Sequence, residues 1–114
     1  MKRTRILTGA AFGLIAALSV TLFATEKRDG PSALFNQYCA KCHGEDGTGK
    51  TPKGRQLRAR DFTDAEWLSA KSDAELIKTI TAGGEEMPAF SKTLTAAQIE
   101  SLVRDDVRSF AKRK

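Results

Sequence analysis

After residue 24 the chain has no further run of apolar residues approaching the ~20 needed to span a membrane, so the remainder reads as soluble. There is no histidine besides His43 and no cysteine besides Cys39 and Cys42. Two thiols and one imidazole fall short of the four ligands of a structural zinc site unless a carboxylate joins them. A disulfide between cysteines this close would close a trivial loop and hardly constrain the unfolded chain. No strand signal stands out, and no internal repeat. Nor is there a face of unbroken basic charge: "RDDVRSF" (Arg104 to Phe110) and "DFTDAEW" (Asp61 to Trp67) mix the signs freely. That pattern gives no reason to expect a nucleic-acid partner.

What is present begins with an address. Lys2, Arg3 and Arg5 precede an uncharged run from Ile6 to Ala24, a basic n-region followed by an apolar h-region. Residues 1–24 are therefore a secretory signal peptide or, because the run is near spanning length, a retained N-terminal membrane anchor. Cleavage is the favoured reading, although "TLFA" puts Leu22 where a small residue is preferred. Either route carries the rest of the chain across a membrane. The formal charge of +5 shrinks once the leader is set aside: three of the nineteen basic residues lie there, leaving sixteen against fourteen acidic side chains.

Thr25 to Gly30, "TEKRDG", reads as a polar linker, and residues 31–114 as one small domain. Its eighteen large apolar side chains from Leu34 to Phe110 are few for a self-sufficient core, and domains of this size usually need a rigid insert or staple. Pro31 suits the first turn of a helix that runs into Cys39, with Leu34, Phe35 and Tyr38 on one side. Gly44 to Gly54, with four glycines and Pro52, reads as a loop. Three capping boxes come next, at Thr63/Glu66, Ser72/Glu75 and Thr95/Gln98, and Gly83-Gly84 ends the second of those helices. Ile99, Leu102, Val103, Val107 and Phe110 form the stripe of a terminal helix. The fold class is all-α.

Two signatures overlap in "CAKCHGEDGTGKT", Cys39 to Thr51. Gly44 to Thr51 spells the P-loop pattern G-x-x-x-x-G-K-[ST], and Cys39 to His43 spells C-x-x-C-H. A working P-loop needs a buried strand before its glycines and a helix opening at the Lys-Thr pair. "NQYCAKCH" is too polar for that strand, and Pro52 and Gly54 are expected to spoil the helix. A thiol–disulfide pair usually opens a helix in a sheet-containing fold, and no sheet is evident. The haem reading uses every residue: two thiols bond the two vinyl groups of one porphyrin, and the adjacent imidazole takes one face of the iron. The export signal agrees, because bacterial haem attachment takes place outside the cytoplasm.

Given a haem held by His43, Met87 is the candidate for the opposite face, since Met1 lies in the leader. "GGEEMPAF" puts it in a constrained loop, with Pro88 fixing the backbone just past the thioether. Without a haem, the same methionine reads as core filling.

These features together resemble a class I c-type cytochrome. The resemblance covers most of Pro31 to Phe110 and rests on Phe35 four residues before Cys39, C-A-K-C-H, the glycine-rich loop, Pro52, "MPAF" and the terminal helix. It implies a small cytochrome c fold with helices packed around one haem c, attached covalently through two thioethers. It also implies that the Pro52 carbonyl accepts the second ring N–H of His43, and, more loosely, that Trp67 bonds a propionate. Arg55, Arg58 and Arg60 could neutralise propionates. The chain departs from the family where its first and last helices cross: Pro31 stands near a position that is usually small, and Asp106 at one that is commonly aromatic.

The expected function is single-electron transfer with His43 and Met87 as axial ligands, which leaves no vacant position for a substrate and makes the protein a carrier, not an enzyme. Its expected partners are redox proteins, a membrane oxidoreductase or oxidase, and the protein is expected to act as a monomer. It would work in the periplasm or attached to the outer face of the inner membrane. Lys41, Lys50 and Lys53 would steer an acidic partner, with Glu45 and Asp46 blunting the field. The alternatives are a module tethered to one membrane oxidoreductase, and a peroxidase-like or ligand-sensing haem protein with an open sixth site.

Overall fold

The computed structural model describes residues 9–21 and 29–113. Most of the expected linker, Leu22 of the expected cleavage site, and the basic leader residues lie outside the described residues. Residues 9–21 form no helix, and their apolar side chains are exposed, Phe12 by 94% and Leu14 by 98%. Among the described residues no helix is long and apolar enough to cross a membrane.

Five of the helices start where a small polar side chain satisfies a free amide. Helix α1, Ala33–Tyr38, is capped by Ser32, whose Oγ accepts the Phe35 N–H at 3.1 Å. Pro31 therefore sits before the cap and not in the first turn. Helix α2, Ala40–His43, starts after Cys39. The expected loop to Gly54 ends early, because Thr51 caps helix α3, Pro52–Leu57, and Pro52 occupies its first position, where a missing N–H is harmless.

Helix α4, Ala65–Ser69, is capped by Asp64 and not by Thr63. The Thr63 hydroxyl is already donating to Asp61 at 2.6 Å, so the Thr63/Glu66 box does not form. The other two boxes do. Ser72 and Glu75 open helix α5, Asp73–Ala82, which stops at Gly83 with φ 81°, and Thr95 and Gln98 open helix α6, Ala96–Ser101. The chain continues through a π-helical stretch, Leu102–Val107, into helix α7, Arg108–Phe110. No strand occurs among the described residues, and the architecture is all-α.

The terminal stripe is the centre of the core: Ile99, Leu102, Val103, Val107 and Phe110 are all buried. Phe35 of α1 meets Phe110 with ring centroids 5.1 Å apart, and Leu76 and Ile80 of α5 close another side. Burying each such side chain contributes roughly 1.5–3 kcal/mol. Where α1 meets the terminal helix, the contact is a polar lock. Asp106 is only 3% exposed, and its two carboxylate oxygens accept the Ser32 N–H at 2.7 Å and the Ser32 hydroxyl at 2.6 Å.

Candidate functional site

The core places α2 so that Cys39, Cys42 and His43 share one helical turn at the end of α1. Both thiols are free and half-buried. Burial, the Asp106 charge and Cys42 together push the Cys39 thiol up to about 12.

His43 is 9% exposed. Its Nδ1 lies 3.1 Å from the carbonyl oxygen of Arg60, so in the neutral ring Nδ1–H donates there and Nε2 keeps its lone pair. Burial lowers the imidazole pKa, with the Arg60 bond a smaller opposing effect, which favours that neutral, ligating form. The ring is also stacked on Phe62, with centroids 4.4 Å apart and planes 16° apart.

The expected role of the Pro52 carbonyl is therefore corrected: the bond goes to Arg60. Pro52 is the first residue of α3, so its carbonyl belongs to a helix start. The segment that carries Arg60 is instead brought to His43 by two backbone bonds, Phe62 N–H to Gly47 at 2.8 Å and Ala59 N–H to Gly54 at 2.8 Å. A backbone acceptor has no residue-type signature, so sequence reasoning cannot single out Arg60. Phe62 is the detectable signal, an aromatic amid polar neighbours in "RARDFTD".

Helix α3 backs the Cys39–His43 turn closely. The Thr51 hydroxyl lies within hydrogen-bonding distance of the Lys41 carbonyl at 2.7 Å and of the Cys42 carbonyl at 3.1 Å. A Cβ on Gly54 would overlap the Cys42 and Gly49 carbonyls, so this helix can approach only through a glycine. The P-loop reading finds no cradle here. A helix does open at Thr51, but α2 precedes the glycines in place of a strand. The Gly49 and Gly54 amides are already bonded to His43 and Thr51.

Met87 is half-buried against the same core as Cys39 and Ala40. Its carbonyl accepts the Gly84 N–H at 3.0 Å, which makes the loop after α5 tight. Three residues on, Phe90 meets Tyr38 edge to face at 6.2 Å, tying the methionine loop to the residue before Cys39. Trp67 is half-buried beneath the Arg60 guanidinium, 5.3 Å from its ring centroid. Lys41, Lys50 and Lys53 are exposed, as are Glu45 and Asp46. Two hydrogen bonds from Thr48, with Lys50 adding a weaker pull, hold the Asp46 carboxyl below its ordinary range.

The donor set fits a covalent haem better than a bare metal ion. Among the described residues no three His, Cys, Asp or Glu side chains converge on a point that could hold a metal. A porphyrin needs only two thiols and axial donors, because it brings its own equatorial ligands. Cys39, Cys42 and the free Nε2 of His43 supply three of these groups, and Met87 is available for the fourth.

The family described as cytochrome C oxidase, cbb3-type, subunit III matches residues 26–104. A cbb3-type cytochrome c oxidase subunit CcoP from Azospirillum brasilense is 39% identical over 70 residues, 60% of this chain and 24% of that protein. Subunit FixP from Azorhizobium caulinodans is 33% identical over 103 residues, 85% of this chain and 34% of that protein. The chain thus spans about a quarter to a third of the length of the curated relatives it matches. Among solved structures, the KustC0563 c-type cytochrome aligns with a TM-score of 0.63 at 41% identity, over 68% of this chain and 92% of its own.

Proposed function

Because this chain belongs to the cytochrome C oxidase, cbb3-type, subunit III family and has a class I cytochrome c fold, we propose that it binds one haem c through thioethers to Cys39 and Cys42, with His43 and Met87 as axial ligands, and carries single electrons. Bound haem supplies one-electron redox chemistry. The residues do the rest. The bond from His43 Nδ1–H to the Arg60 carbonyl holds one tautomer and leaves Nε2 as the donor. Phe62 covers one face of that imidazole, and burial excludes water, which raises the reduction potential. Met87 sits in a loop narrowed by Gly84 and followed by Pro88, which limits the excursions of its thioether. With both axial positions taken no substrate site remains, and the protein is a carrier and not itself an enzyme.

The observation that supports this most is the placement of two free thiols and a buried, hydrogen-bonded imidazole on one turn. The domain is proposed to work as a monomer in the periplasm, delivered by residues 1–24. Its proposed partner is a membrane oxidase, since the relatives are named as subunits of one. Those names also favour a second reading, a module fixed to that oxidase through an uncleaved Ile6–Ala24 segment. Recovery in the membrane fraction supports the tether, and recovery in the periplasmic fraction supports a diffusing carrier.

The test of the haem reading is a reduced-minus-oxidised absorption spectrum of the protein expressed with haem-attachment machinery. Sharp c-type bands and a weak far-red methionine-to-iron band in the oxidised form are expected. Colourless, stably folded protein would overturn it.

A further inference from the structure

We infer that Asp106 is a buried electrostatic regulator of this protein's reduction potential, a fixed negative charge that makes the site a weaker oxidant than its His/Met ligands alone would. The inference rests on the haem reading above. Three observations carry it. Asp106 is 3% exposed in a π-helical stretch of the terminal helix. Both its oxygens accept from Ser32, at 2.7 and 2.6 Å, while the Ser32 Oγ is itself accepting from the Phe35 amide. That pattern assigns the hydroxyl proton to the Ser32–Asp106 bond and suits a carboxylate. No ion pair to Asp106 stands among the described salt bridges, so two hydrogen bonds stabilise the charge without neutralising it.

The charge is close to the attachment turn. Helix α1 has six residues, so at ~1.5 Å rise per residue Ser32 stands about 10 Å from Cys39. An electron arriving at the site adds negative charge, and a nearby carboxylate opposes it. At an effective dielectric near 20, a unit charge about 12 Å from the redox centre shifts such an equilibrium roughly tenfold, and one farther off less; tenfold is ~59 mV for a one-electron couple. Being buried, the effect resists salt, unlike that of exposed charges.

The experiment is equilibrium redox titration of the haem-loaded full chain and its variants at neutral pH, in low and high salt. Asp106→Asn keeps the shape and loses the charge. It is expected to raise the midpoint potential by the equivalent of roughly three- to tenfold at both salt concentrations, with the far-red methionine band unchanged. Ser32→Ala keeps the carboxylate and loses one hydrogen bond, and is expected not to raise the potential. Should Asp106→Asn not accumulate, Asp106→Ser, smaller and still able to accept from Ser32, carries the same expected rise. An unmoved potential in the neutral variant, or an equal rise in Ser32→Ala, overturns the inference and leaves the haem reading standing. Absence of any c-type spectrum in the unmutated protein defeats the haem reading first.

Discussion

Ser32 Oγ bonds in two directions at once, accepting the Phe35 amide at 3.1 Å and donating to Asp106 at 2.6 Å. One hydroxyl therefore caps α1 and fastens it to the terminal helix. Ser32→Ala removes a helix cap, worth about 1 kcal/mol, and leaves a buried carboxylate short of a donor, worth about 1–3 kcal/mol. Chemical denaturation of the haem-loaded protein should show a loss of about 2–4 kcal/mol, well above that of an exposed serine.

Gly54 lies where α3 touches the Cys39–His43 turn, and the groups its Cβ would overlap are backbone carbonyls, including that of Cys42. Backbone cannot swing aside as a side chain can. Gly54→Ala should cost about 1–3 kcal/mol through overpacking, measured as a lowered thermal midpoint. A midpoint equal to that of the unmutated protein would contradict so close an approach.

Arg58 ends α3 in the left-handed region, with φ 56° and ψ 46°. A side chain there is strained, and glycine is the usual occupant of such a helix end. Arg58→Gly is expected to stabilise the fold by about 0.5–1 kcal/mol, the relief of strain being partly offset by the greater freedom of glycine in the unfolded chain, read from the same unfolding midpoint.

The Glu75 carboxylate accepts the Ser72 N–H at 2.8 Å in the capping box of α5, and its pKa is lowered from 4.5, chiefly by that bond. A depressed folded pKa means that the unfolded chain binds the proton more tightly. The stabilisation is present above pH 4.5 and is lost as pH falls through the lower folded value. In Glu75→Gln that part of the acid sensitivity should disappear, so the two stability–pH curves converge at low pH. Parallel curves would rule out this contribution.

Met87→Ala should abolish the far-red band and let the reduced protein bind carbon monoxide. An unchanged spectrum would remove Met87 as the axial ligand.

Much of the fold and of the site is legible in the sequence for physical reasons. The Ser72/Glu75 and Thr95/Gln98 boxes use side chains that have no competing local partner, and the stripe from Ile99 to Phe110 is buried throughout. Thr63 has the right spacing for a cap but not the freedom, because Asp61, two residues back, captures its hydroxyl in a local turn. Pro52 has the look of a helix breaker, yet after a capping Thr51 it is a good first helical residue. The acceptor for His43 is hidden from sequence because carbonyls are common to every residue and only tertiary structure chooses among them. Asp106 stands out as a departure from the family, but its partner, 74 residues away, cannot be read from local pattern.

That long separation bears on how the protein matures. The helix that presents the cysteines acquires its far support only when residue 106 is available, so a chain cut short before the terminal helix displays its thiols on an undocked turn. The two ends of the domain are thus closed by one clasp, which no nascent chain can fasten until its last helix has been made.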